Sequence, residues 1–127
     1  MTSQLPSVIW VGSADGDDYR ELSRAILKRG LGLASAATVK DLPDVLSRHA
    51  RAVVVVCDRQ TGQRSREVVA SLSRMGRRVP ILVLVEEADF SDYYSLMNSG
   101  VHYYYEFREG SERISGALSR AASWAAA

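Results

Sequence analysis

The residues that could do chemistry are few, and most stand alone. Asp58 closes the apolar run Ala52-Val53-Val54-Val55-Val56-Cys57 and is followed by Arg59. A carboxylate placed there can accept a group or hold a cation; the plainer reading is a solvated acid at a strand end, or one paired with Arg59 or Arg108. Cys57 is the single cysteine, which excludes an internal disulfide and any CxxC zinc motif. No histidine lies near it in sequence, and a thiol ending a buried strand reads as a small hydrophobe. His49 and His102 pair with no Ser, Cys or Asp at a catalytic spacing, so a hydrolase triad gets no support. Gly12-Ser13-Ala14-Asp15-Gly16 separates an apolar run from an amphipathic stretch, a place where phosphate can meet a helix N-terminus. That loop lacks both GxGxxG and the P-loop lysine, and Asp15, Asp17 and Asp18 would repel phosphate. The arginines of Gln63-Arg64-Ser65-Arg66 make a better anion site, although a solvated helix face is the plainer explanation. Tyr103-Tyr104-Tyr105, with Tyr93 and Tyr94 nearby, reads as edge-strand packing or as a partner surface.

These residues need elements to position them. Residues 8–11, 33–36, 52–56, 81–85 and 101–105 read as strands. The third and fourth runs are apolar at every position, so both faces should be buried, as in the centre of a parallel sheet. Amphipathic stretches alternate with them. Asp17 or Asp18 is expected to cap the first helix, which Gly30 stops. Thr38 is expected to cap a second helix reaching about His49, with Pro43 near its first turn. Ser65 is expected to cap the third, which Gly76 closes. A fourth spans about residues 90–99, and Ser111 caps a fifth that runs into the terminal alanines. Five strands alternating with five helices predict one doubly wound α/β domain with helices on both faces of a parallel five-stranded sheet. The expected fold is flavodoxin-like, with strand order 2-1-3-4-5.

Composition agrees. The 127 residues, 46% of them hydrophobic, suffice for one core and not for two domains or a disordered chain. The net charge of +1 gives no general pull toward nucleic acid or an acidic membrane surface. The start of the chain shows no signal peptide, and the longest apolar run falls far below the roughly 20 residues of a membrane span. With one cysteine, the expected setting is the reducing cytoplasm.

In such a fold the ligand site lies beyond the carboxyl ends of the strands. Gly12, Ser13, Ala14 and Asp15 fall there, with Cys57, Asp58 and Arg59, then Val85, Glu86 and Glu87, then Glu106, Phe107 and Arg108. The arrangement resembles the receiver (CheY-like) domain of two-component response regulators over nearly the whole chain. Asp58 at the end of its strand, Pro80-Ile81-Leu82-Val83-Leu84-Val85-Glu86, and Gly100-Val101-His102-Tyr103-Tyr104-Tyr105 carry the resemblance. It implies that Asp58 holds the phosphoacceptor position and that Tyr104 matches a switch aromatic.

The departures matter as much. The family's acidic pair, which holds magnesium, is replaced by Gly12 and Ser13. Its Thr or Ser at the end of strand 4 is Val85, and its Lys-Pro after strand 5 is Phe107-Arg108. Phosphoryl transfer needs a metal ion and neutralising cations, and magnesium needs several hard oxygens. Asp15 or Glu86 would have to supply ligands, and Arg59 or Arg108 the missing cation. The chain is therefore expected to be a pseudo-receiver, not an enzyme, with no cofactor unless Asp58 is phosphorylated with magnesium. It is expected to be the N-terminal regulatory module (residues 1–127) of a longer protein, regulating an attached output domain such as a transcriptional activator. Expected partners are that domain and a second copy, bound through the fourth helix, fifth strand and fifth helix with Tyr94, Tyr103, Tyr104 and Tyr105; a histidine kinase partner stays open, and direct nucleic-acid or membrane binding is not expected. The alternatives are a sensor of a small anionic ligand such as a cyclic dinucleotide, through Arg59, Arg64, Arg66 or Arg108, and a working phosphoacceptor at Asp58.

Overall fold

A computed structural model describes residues 6–59 and 62–125; the expectations for the chain's first residues and last two alanines fall outside them. The elements are β1 (Ser7–Val11), α1 (Gly16–Lys28), β2 (Gly32–Ala36), α2 (Leu42–Ser47), β3 (Ala52–Cys57), α3 (Gln63–Met75), β4 (Ile81–Val85), α4 (Phe90–Ser99), β5 (Tyr103–Glu106) and α5 (Ser111–Ala125). All strand pairs are parallel, in the expected order β2-β1-β3-β4-β5. Every residue of β3 and β4 is buried, because the sheet is covered on both faces. Ile9, Val54, Val56 and Val83 pack against Leu46, Val68, Leu72 and Leu96 of α2, α3 and α4. Val8, Trp10, Val55 and Leu84 pack against Leu22, Ile26, Ile114 and Leu118 of α1 and α5. No described helix is long and apolar enough to cross a membrane.

The expected helix starts need correction. Ser65 lies inside the first turn of α3, whose cap is Gly62 in a left-handed conformation (φ 74°). Asp17 and Asp18 are likewise in the first turn of α1, where their charge suits the positive helix end. The second helix is broken: a 3-10 turn at Val39–Asp41 precedes α2, which is only six residues long. Pro43 explains this, since it has no N–H to extend a helix begun at Thr38 and fits only a first turn. β5 starts two residues later than expected, because the Val101 amide donates back to Leu96 O and closes α4.

Candidate functional site

Asp58 leaves β3 still tied to the sheet, its amide donating to Leu84 O at 2.9 Å. Its carboxylate turns toward α3. Oδ2 accepts from the Ser65 amide at 3.0 Å and from Ser65 Oγ at 2.7 Å. Asp58 is 5% exposed and Ser65 fully buried. The acid therefore caps α3 from outside the helix, satisfying an amide that the backbone cannot. The expectation of a solvated acid, or of one paired with Arg59 or Arg108, is corrected: those guanidiniums bind elsewhere.

Arg59 reaches across the tops of the strands. It donates to Asp18 at 2.9 Å, forms an ion pair with Glu86, and lies 4.1 Å above the Phe107 ring. One guanidinium thus joins the start of α1 to the segments after β4 and β5. Arg108 turns to Glu106 at 2.9 Å, and Glu106 in turn accepts from the Ala88 amide at 2.7 Å. That amide first, and Arg108 second, hold the Glu106 carboxyl below the usual range. Arg64 donates to Cys57 O at 2.7 Å, and Arg66 pairs with Asp92 at 2.8 Å. The four arginines that were alternatives for binding an anion serve four different partner sets. Burial pushes the Cys57 thiol up, with Arg59 and Arg64 pulling it partly back, so at neutral pH it is an unreactive thiol.

Gly12 explains why the acidic pair is missing on this backbone. Its φ is 137°, and a Cβ there would sit 3.0 Å from Arg64 Nη1 and 3.2 Å from Cys57 Cβ. Ser13 and Asp15 are exposed and bond each other, Oγ to Oδ1 at 2.8 Å, while the Trp10 indole donates to Ser13 O at 3.0 Å. Asp15 and Asp58 share the lining of a cleft of about 600 Å³, together with Arg59 and Arg64. Magnesium does not fit this donor set. Among the described residues no group of three or more acids, histidines or cysteines could hold a metal, and two guanidiniums already occupy the loops. Gly12→Asp is expected to cost about 1–3 kcal/mol from the positive φ alone. Thermal unfolding with and without magnesium should show the loss and no stabilisation by the ion.

Val85 puts no hydroxyl where the resemblance implies one. It lines a second cavity of about 410 Å³ with Asp58, Glu86, Leu96 and Tyr104. The Tyr104 hydroxyl accepts from the Asp89 amide at 3.2 Å, and its ring meets Tyr93 edge-on at 5.5 Å. Burial is the main cause that pushes its phenol up. Tyr103 and Tyr105 face the other way, as alternation requires. They stack on each other at 6.2 Å, Tyr103 stacks on Trp124 at 6.1 Å, and Arg113 lies 5.9 Å from the Tyr105 ring. Tyr94 is exposed and stacks on exposed Phe90 at 6.3 Å. Sequence reasoning missed Ser65 as Asp58's partner, and Phe90 and Trp124 as surface aromatics. The last two carried no signal in their spacing: Phe90 falls at i, i+3, i+4 and i+7 with Tyr93, Tyr94 and Met97, and Trp124 lies three residues after Ala121.

A family model described as the Orn/Lys/Arg decarboxylase N-terminal domain matches residues 14–123. No curated protein matches the chain. Solved structures match throughout. The signal receiver domain of an HD domain-containing protein from Pseudomonas fluorescens Pf-5 has a TM-score of 0.77 at 13% identity, over 96% of this chain and 98% of that one. A CheY-like response regulator receiver domain from Methanospirillum hungatei JF-1 gives 0.75 at 11%, over 96% and 97%. The beryllofluoride-activated NtrC4 receiver domain dimer gives 0.75 at 14%, over 94% and 98%. At such identities the likeness is one of fold, and the fold is that of receiver domains.

Proposed function

We propose, from the premise that the chain belongs to the Orn/Lys/Arg decarboxylase N-terminal domain family, that it is a pseudo-receiver: a contact domain on the receiver fold that works without aspartyl phosphorylation. The observation that carries this is the commitment of Asp58 to Ser65, beside an Arg59 already neutralised by Asp18 and Glu86. An acceptor carboxylate needs a metal and free cations to stabilise the incoming phosphoryl group. Here the carboxylate is a helix cap and the cation a strut. The domain is not an enzyme on this reading, and it needs neither a cofactor nor a histidine kinase.

It acts by touching an attached domain and a second copy of itself. The face formed by α4, β5 and α5 suits the second copy, because it carries exposed Phe90, Tyr93, Tyr94 and Trp124. In place of the transcriptional activator expected from the sequence, the family's name favours an attached enzyme acting on a basic amino acid. The proposed setting is the cytoplasm, where a lone thiol stays reduced.

Intact mass after incubation with acetyl phosphate and magnesium, beside Asp58→Asn, tests this directly. The expected result is no phosphoryl adduct in either folded protein. An adduct that disappears in the variant would restore the working phosphoacceptor.

A further inference from the structure

The net charge of +1 conceals two strongly charged ends. All helices start at the carboxyl ends of the strands and finish at the amino ends. The loops and helix halves at the carboxyl ends hold all fifteen acids and seven of the sixteen bases, a side-chain charge of −8. The opposite end holds Arg24, Lys28, Arg29, Arg48, Arg51, Arg74, Arg77, Arg78 and Arg120 and no acid, a charge of +9.

Helix dipoles account for only part of this. Each terminus acts as about half a charge, so five helices place about +2.5 at the acidic end and −2.5 at the basic end. The side chains exceed that severalfold, so both ends keep a strong net charge. Internal pairing does not cancel the basic end. Among the described residues, Arg24, Lys28, Arg74, Arg78 and Arg120 form no ion pair, and all are exposed. Each end also shows large apolar side chains: Phe90 and Tyr94 at the acidic end, Leu27 and Trp124 at the basic end.

We infer that copies of this chain associate head to tail, the acidic end of one against the basic end of the next. Opposite ends of one molecule are complementary to each other and not to themselves. The contact is therefore heterologous, and it continues into chains or closes into rings. Opposed fields steer the encounter, and the exposed aromatic and aliphatic side chains give each contact a centre. The contact shares Phe90, Tyr94 and Trp124 with the α4–β5–α5 face, but its charged residues lie at the two ends of the strands, and salt sets it apart.

Sedimentation velocity over a range of protein concentrations, at about 0.05 M and about 0.5 M salt, tests the inference, since exposed charges are screened within about 10 Å at 0.1 M. The expected result is species larger than a dimer at low salt and at least tenfold weaker association at high salt. Two charge-reversed variants sharpen it: Asp17→Lys with Glu87→Lys at the acidic end, and Arg74→Glu with Arg78→Glu at the basic end. All four side chains are exposed. Each variant alone should lose the large species, and an equimolar mixture should regain them. A wild-type protein that forms nothing beyond a dimer at low salt overturns the inference. So does association that high salt leaves unchanged, or a mixture that fails to re-associate. A dimer through the α4–β5–α5 face survives high salt and both reversals, so the two readings fail separately.

Discussion

Asp58→Ala is expected to destabilise the fold by about 2–4 kcal/mol. The substitution leaves the Ser65 amide and hydroxyl without an acceptor inside a protein that buries Ser65 completely. An unpaired buried donor costs about 1–3 kcal/mol, and hydrogen bonds to an ionised acceptor are roughly twice as strong as neutral ones. Asp58→Asn keeps a carbonyl oxygen in place and should lose less than half as much. The pair separates two roles for the residue. A phosphoacceptor that is merely resting tolerates alanine, whereas a cap does not. Equilibrium unfolding in denaturant measures both, and a loss under about 0.5 kcal/mol for alanine would show that α3 does not depend on this carboxylate.

That distinction was beyond the sequence, for a physical reason. Asp58 at the end of four valines and a cysteine is legible as a strand-end acid, and the fold around it was legible too. Buried runs at residues 52–56 and 81–85 can only be central parallel strands, which forces helices onto both faces. What a carboxylate does there depends on which neighbour its side chain meets, and Ser65 is seven residues further along the sequence, past a stretch with no periodicity to read. In the sequence Ser65 reads as an ordinary cap, a role that Gly62 fills through a positive φ. The short α2 was half legible: Pro43 announced a boundary, and the 3-10 turn before it did not.

Charge shows the same limit at a larger scale. A net +1 with bases scattered along the chain reads as neutral. Only the topology reveals that the acids follow strands and that bases without acids precede them, because each crossover helix carries the chain from one end of the molecule to the other. The site arginines are a local version. Arg59 and Arg64 look interchangeable in sequence, yet one ties the start of α1 to the segments after β4 and β5 and the other seals the approach to Gly12.

Trp10→Ala is the substitution with the largest expected cost, about 3–5 kcal/mol for emptying a buried aromatic site. Trp10 is 2% exposed, packs edge-on against Tyr19 at 5.1 Å, and belongs to the core between the sheet and α1 with α5. It is also the point where core and site meet, because its indole N–H holds Ser13 O at the start of the loop after β1. Trp10→Phe separates the two contributions. The ring still fills most of the space, the indole bond is lost, and the freed carbonyl sits at an exposed residue where water can replace the donor. Its cost should fall near 1 kcal/mol. The amides of residues 12–15 should then exchange faster with solvent while those of β3 keep their protection. Faster exchange confined to that loop identifies the indole as the strut that fixes its shape. Unchanged exchange would assign that task to Arg64 and the positive φ of Gly12, which remain in place when the indole is gone.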